Sequence, residues 1–303
     1  MSSPWAQGFP AFESSQAPGE PSPGGARSIL RNIVRWVVGD IHGMRIPLSA
    51  LLDAVQRVDG DARFYFVGDY VNRGSESRQV VDLLLSMTGD ARFIRGNHDD
   101  VFDQVLHGEA YTGESSESQR LAAFQWFMQH GLDQTFMSYG ADALDLEQVL
   151  RRPTVGGLER LGEAVPAAHR GFFRNLPAVI EEPDLFVVHA KWDPDAPSDA
   201  IAARAGSSEK NRYTVLWGRF STPEIERKKR WKQRGFFGHT PVFNYARVDE
   251  DENLPIVRDD IVLLDTGLAL SATGRLTAVC AETSEYVQVD RRGFVVTPAR
   301  SRK

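Results

Sequence analysis

The sequence predicts an α/β protein, and three observations carry the prediction: apolar runs that end in Gly and a polar side chain, amphipathic helices between them, and a near-constant spacing. The runs close as VVGDIHG at residues 37–43, YFVGDYVNRG at 65–74 and FIRGNHDD at 93–100. Asp40 to Asp69 is 29 positions and Asp69 to Asn97 is 28, about the length of a βαβ unit. The three strands should therefore lie parallel, with their C-terminal ends on one edge. Ligands of open α/β sheets bind beyond that edge.

From residue 33, IVRWVV reads as a buried strand. Leu48, Leu51, Leu52 and Val55 then fall at i, i+3, i+4 and i+7 behind Pro47, which predicts a helix. FYFV at 64–67 is the next strand, Val80, Leu83, Leu84 and Met87 mark a second helix, and ARFI at 91–94 a third strand. Residues 101–180 read as mainly helical, including a stretch with Leu121, Phe124, Phe127 and Met128 on one face and Gly131 as its C-cap. LFVVHA (185–190), RGFFGHT (234–240), DIVLLDTG (260–267) and LTAVCAE (276–282) are expected to form a second, largely antiparallel sheet. Residues 1–27, dense in Pro, Gly and Ser, are expected to be a disordered tail, and residues 291–303 a solvated one.

The bulk composition excludes several classes. A chain of 303 residues with 42% apolar content can bury a large core. Its net charge of −6 comes from interspersed charges, so no basic field invites nucleic acid. The single Cys280 rules out an internal disulfide framework and fits a reducing compartment, with the cytoplasm as the expected location. No apolar stretch approaches the roughly 18–20 residues of a membrane span. Motifs of other enzyme classes, GxxxxGK[ST], GxGxxG after a strand, HExxH and GxSxG, are absent. The basic run ERKKRWKQR (226–234) reads as a solvated helix face, and 193–212 as a long loop that sets specificity.

At strand ends the chain places Asp40, His42, Asp69, Asn97, His98, His189 and His239. Each alone is a turn or a hydrogen-bonded core residue; together, on correctly spaced strands, they point to one metal site. Mixed Asp, His and Asn ligands suit Mn, Fe or Zn better than an all-oxygen Mg or Ca cage. Two ions about 3.5–4 Å apart need a bridging carboxylate, the natural task of Asp69. Asp40 and His42 would complete one ion, and Asn97, His189 and His239 the other.

GDIHG, GDYVNRG and GNHD resemble the GDxHG, GDxVDRG and GNH(E/D) signatures of the phosphoprotein phosphatase branch of the calcineurin-like metallophosphoesterases. MSYG (137–140), FFRNLP (172–177), VVHA (187–190), LWGRF (216–220), GHTPV (238–242) and LLDTG (263–267) resemble successive blocks of bacterial serine/threonine phosphatases, so the likeness runs from about 34 to 282. The resemblance implies four layers: a central β-sandwich of two mixed sheets, flanked by helices, with a two-metal site at one edge. It implies one catalytic domain over 28–290 holding two divalent ions, Mn2+ first and Fe or Zn as alternatives. Arg73 and Arg219 match phosphate-binding arginines, joined by Asn97. His98 matches a general acid acting beside in-line attack on phosphorus by a metal-bridging water or hydroxide.

Departures from that pattern are informative. Asn72 stands where protein phosphatases carry an Asp that partners the histidine, which lowers the pKa expected of His98 unless Asp99 or Asp100 substitutes. Lys191 and Trp192 follow His189 where relatives have Gly, placing a cation and an aromatic beside the site. Asp99 instead of Glu, and the missing Asp, are shared with diadenosine tetraphosphatase relatives. The leading expectation is a serine/threonine protein phosphatase acting on phosphorylated protein. The alternative is a dinucleoside polyphosphate hydrolase, and a third reading is an inactive metal-binding scaffold.

Overall fold

Side-chain alternation of period two sorts the strands into a layered arrangement in the computed structural model, which describes residues 34–87, 89, 91–110, 113–195, 209–245 and 252–296. In β1 (Arg35–Val38) and β2 (Arg63–Phe66), Trp36, Val38, Phe64 and Phe66 face a helical layer, while Val37 and Tyr65 face a second sheet. β3 (Ala91–Phe93) completes a parallel trio. The helices between them are α1 (Arg45–Val58) and α2 (Ser77–Ser86), with Leu48, Leu51, Leu52 and Val55 buried as their spacing predicts.

After β3 come α3 (Asn97–His107), a short hairpin of β4 (Glu109–Ala110) and β5 (Gly113–Glu114), and α4 (Glu117–Met128). α5 (Leu132–Ser138), α6 (Ala143–Arg151), α7 (Val155–Glu163) and α8 (Ala167–Asn175) follow, so the segment is mainly helical as expected. Gly131 is not the C-cap of α4: that helix ends at Gln129, and Gly131, with φ +88°, opens α5.

The second sheet holds β6 (Val179–Glu181), β7 (Leu185–Val188), β8 (Arg234–Phe237), β9 (Ile256–Val257) and β10 (Ile261–Leu263), in the order β6-β7-β8-β10-β9. α9 (Glu209–Trp217) and α10 (Thr222–Ile225) lie between β7 and β8. The largely antiparallel expectation is wrong here, because β7, β8 and β10 run parallel and only the edge strands β6 and β9 are antiparallel. The connections between the parallel strands are long enough for crossovers, which is what parallel pairing needs. LTAVCAE also belongs elsewhere: β11 (Arg275–Cys280) pairs antiparallel with β1 and with β12 (Tyr286–Asp290), giving the first sheet the order β12-β11-β1-β2-β3. Two mixed sheets thus face one another across Val37, Tyr65, Val187, Phe236 and Val262, with helices flanking them.

The basic run at 226–234 is no helix face. It is irregular chain in which Trp231 is buried, under the guanidinium of Arg227 at 4.5 Å, while Asp260 accepts from the Arg230 and Trp231 backbone N–H groups. Residues 291–296 of the expected tail are tied to the first sheet, since Val296 N–H donates to Gln288 O at 2.8 Å. The tail expected at 1–27, residues 196–208 of the expected specificity loop and residues 297–303 lie outside the described residues. Among the described residues no helix is long and apolar enough to cross a membrane.

Candidate active site

The loops leaving β1 and β2 are laced together. Ile41 N–H and His42 N–H both donate to Asp69 O (3.2 and 2.8 Å), Gly43 N–H to Tyr70 O (2.8 Å) and Gly74 N–H to His42 O (3.0 Å). The laced loops hold unusual backbone: His42, Asp69, Asn72 and Arg73 have φ between +49° and +72°, as does His239 after β8. Left-handed backbone costs most residues of order 1 kcal/mol or more and concentrates at functional sites. Gly96 answers to a different demand, since a Cβ there would stand 2.2 Å from Asp69 Oδ1. The Gly preceding Asn97 is what lets the third loop close on the carboxylate of the second.

Asp69 is the centre. Its Oδ2 lies 3.6 Å from His42 Nε2 and its Oδ1 lies 3.4 Å from His189 Nε2. Asn97 Oδ1 is 2.9 Å from His189 Nε2 and 3.0 Å from His239 Nδ1, and the His239 N–H donates to Asp40 Oδ2 at 3.0 Å. Two groups with ligand atoms within 4.8 Å of one another share Asp69: one adds His42 and His98, the other Asp40 and His189. Every expected ligand-type residue is thus brought together.

Electrostatics favour a cation here. Asp40, Asp69 and Asp265 are buried, and among the described residues none of them forms an ion pair with lysine or arginine. Burial pushes the Asp69 carboxyl up to about 7, against the pull of the His98 N–H and Arg73. Burial, then the charges of Asp265 and Asp69, also raise Asp40 well above its ordinary value. Buried carboxylates without a countercharge are costly, and a bound cation removes that cost. Burial lowers His189 to about 4 and drives His42 well below its ordinary value, keeping both rings in the neutral form that ligates metals. His239 Nε2 is buried without a hydrogen-bond partner. The donor set therefore fits divalent ions.

His42, Asp69, Asn97, His239 and Asp265 line a cavity of about 320 Å³ together with Arg73, Arg219 and His98. Arg73 Nε is buried and has no partner, while Arg219 Nη1 donates to Thr240 Oγ1 at 3.0 Å. His98 is the second residue of α3, and its Nδ1 receives Asn72 Nδ2–H at 2.9 Å. Neither acid suggested as a substitute reaches it. Asp99 spends its carboxylate on three backbone N–H groups, of Asp69, Tyr70 and Gly96 (2.7, 2.9 and 2.9 Å). Asp100 pairs with Arg95 at 3.0 Å and with Arg212.

Lys191 and Trp192 also fall away from the chemistry. Lys191 Nζ pairs with Glu224 at 2.6 Å, and Trp192 is buried against Phe186 in the core beneath the second sheet. Sequence reasoning passed over five residues that line the cavity: Asp265, Trp126, His130, Tyr213 and Leu270. Asp265 did carry a signal, since LLDTG repeats the pattern of an apolar run ending in a metal-capable side chain.

The chain is similar to several known proteins. A curated protein of Marinomonas sp. named bis(5'-nucleosyl)-tetraphosphatase, symmetrical, is 34% identical over 73 residues, 24% of this chain and 26% of that protein. One of the same name from Bordetella pertussis is 40% identical over 65 residues, 21% of this chain and 24% of that one. The chain thus matches about a quarter of the length of these relatives. A solved structure described as a putative diadenosine tetraphosphatase is 21% identical, with a TM-score of 0.49 and coverage of 86% of this chain and 94% of that one. The family model for calcineurin-like phosphoesterases matches residues 34–243, from β1 through the GHTPV turn that carries His239. With its two sheets and its shared carboxylate in place, the chain belongs to the calcineurin-like phosphoesterase family.

Proposed function

We propose that the protein is a metal-dependent hydrolase of phosphoanhydrides, with a dinucleoside polyphosphate of the diadenosine tetraphosphate type as substrate. Family membership and the two ligand groups sharing Asp69 support the hydrolase reading. One hydrogen bond carries the choice of substrate: Asn72 Nδ2–H to His98 Nδ1. Thr135 Oγ1–H donates to Asn72 Oδ1 at 2.8 Å, so the amide turns its nitrogen toward the ring. That contact needs a bare Nδ1 and leaves the ring proton on Nε2. His98 then meets the leaving group as a neutral hydrogen-bond donor. A serine or threonine alkoxide requires a full proton as it leaves. A nucleoside diphosphate does not, because the last ionisation of a phosphate lies near ~6. A weakened acid is matched to the better leaving group.

Asp40, His42 and Asp69 would hold one divalent ion, and Asp69, Asn97, His189 and His239 the other. The bound ions would supply Lewis-acid charge and a water ionised near neutral pH. Mn2+ is the first choice, with Fe or Zn as alternatives. Arg73 and Arg219 would grip phosphate oxygens, the first through its unpaired Nε and the second as aimed by Thr240. The names of the curated relatives support the same substrate. Two of the three blocks that favoured a phosphoprotein lose their weight, because MSYG and FFRNLP serve the helical layer: Tyr139 and Phe173 pack on Phe102, and Pro177 O accepts from Arg95 N–H, while the third, LWGRF, brings Trp217 and Arg219 to the cavity. Cytoplasmic location remains the proposal, on the single free Cys280.

The test is turnover by the full chain, stripped with a chelator and then supplied with Mn2+, on diadenosine tetraphosphate beside a phosphoserine peptide. Mn2+-dependent cleavage of the dinucleotide, faster than of the peptide and giving two nucleoside diphosphates, is expected. Preference for the peptide restores the protein phosphatase reading, and metal binding without turnover of either restores the scaffold.

A further inference from the structure

Three of the ten large apolar side chains exposed among the described residues, Trp126, Tyr213 and Leu270, line the cavity that holds Asp69 and Arg73. Trp126 is 50% exposed and Tyr213 65%. Gathered exposed apolar groups of this kind mark ligand sites. The phosphate chemistry uses none of them. Trp126 projects from α4 and stacks on Trp217 of α9, with ring centroids 5.5 Å apart and planes 26° from parallel. Tyr213 stands four residues before Trp217, on the same face of α9. Trp217 meets the His239 ring edge-on at 6.0 Å, so the aromatic row runs in two steps from the ligand cluster to solvent. Phe127 and His130 brace Trp126 edge-on at 5.2 and 5.1 Å, which fixes its plane. One indole face is taken by Trp217, and the remaining exposed surface is open to a flat ligand. Arg212, on the same helix as Tyr213 and Trp217, is tied to Asp100 of α3, so the wall is anchored to the helix that carries Asn97 and His98.

We propose that Trp126, backed by Trp217 and flanked by Tyr213, is a stacking platform for a nucleobase of the substrate, and that it makes the site prefer nucleotides over base-free polyphosphates. The proposal rests on the dinucleotide reading above. Stacking a base on an aromatic ring is worth roughly tenfold or more in affinity. In the metal-loaded full chain, Trp126→Ala should raise KM for diadenosine tetraphosphate about tenfold and raise that for inorganic tripolyphosphate far less, while Trp126→Phe recovers most of the loss. Equal effects on the two substrates would overturn the platform. Equal sensitivity of phosphopeptide cleavage would assign the wall to a peptide side chain and overturn it too. A second readout does not depend on turnover: ADP should quench the tryptophan fluorescence of the metal-free protein, ribose 5-phosphate should not, and the base-specific quench should shrink in Trp126→Ala. No base-specific quench, or one that survives the substitution, refutes the platform. If the wild-type chain turns over no dinucleotide, the substrate reading fails, and this titration still decides the platform alone.

Discussion

Consecutive turns of α3 carry two clusters of buried charge built on opposite principles. Where the first turn passes into the second, Asp100 and Asp103 share Arg95 Nη1 at 3.0 and 2.9 Å, with Arg212 on Asp100 and His107 at 2.7 Å from Asp103. Arg95 Nη2 then donates to Phe173 O at 2.6 Å, so each charge has its partner and none of the three residues has positive φ. On the first turn, Asn97 and His98 face Asp69 and its buried neighbours, which among the described residues form no ion pair with lysine or arginine, Arg73 standing beyond pairing distance. There the backbone is strained and the carboxyls are held above their ordinary range. The comparison teaches that burial alone does not identify a functional acid. What does is burial left without a countercharge on backbone that costs energy to hold.

Neutralising Asp69 should give the largest effect. Asp69→Asn keeps an oxygen for the His98 N–H but loses the charge both ligand groups share, so turnover should fall by about three orders of magnitude. Thermal melts check the other half. The metal-free variant should melt no lower than the metal-free wild type, because an uncompensated carboxylate is gone, and Mn2+ should raise the wild-type melting temperature but hardly the variant's. A variant that melts well below wild type without metal would place Asp69 among the paired, structural acids. Breaking the other cluster should do the reverse. Arg95→Met takes from Asp100 and Asp103 the buried cation they share, leaving Arg212 and His107 at their edges, and should cost about 3 kcal/mol in denaturant unfolding. A loss below about 1 kcal/mol would show that these two acids do not depend on their shared partner.

Gly131→Ala should act more gently and across helices. At φ +88° a Cβ would come within 2.1 Å of the Arg73 N and 2.5 Å of its Cα, so the phosphate-gripping residue must shift. KM should rise about tenfold with a smaller change in kcat, since displaced positioning groups weaken binding of the substrate phosphates. Steady-state kinetics on the dinucleotide decide it, and an unchanged KM would detach Arg73 from phosphate binding.

The ligand-type residues were legible because each sits where an apolar run stops, and the βαβ spacing aligned those stops on one edge. Asp265 was not, because an antiparallel β10 would have carried it to the opposite edge; only the parallel pairing of β8 with β10 brings it to the cavity. Asp99 looked like a partner for His98 because the two are adjacent in the chain. Once α3 begins at Asn97, neighbours point about 100° apart, and Asp99 turns back to the loops while His98 faces the cavity. Trp126 escaped because it lies off the Leu121, Phe124, Phe127 and Met128 stripe, and helical periodicity reports packing faces only.

The finest test falls on the contact between the two clusters' helix and the β2 loop. Burial first, then His42 and Arg73, hold the His98 ring well below its ordinary pKa, and the Asn72 amide proton on Nδ1 opposes protonation as well. A ring with a lowered pKa keeps its acidic form only at low pH and loses it as the pH rises through that value. In Asn72→Asp the new carboxylate would accept from Nδ1–H and stabilise the imidazolium, raising the pKa by about one unit for each ~1.4 kcal/mol of interaction. On a phosphoserine peptide the falling limb of the kcat–pH profile should therefore move upward by about one unit, with a higher plateau. On diadenosine tetraphosphate it should move little, because that leaving group needs no proton. Equal shifts on both substrates would mean that His98 protonates both leaving groups and that Asn72 no longer discriminates between them. No shift on either would remove His98 from the acid's role and leave Asn72 as a brace for the β2 loop through Thr135.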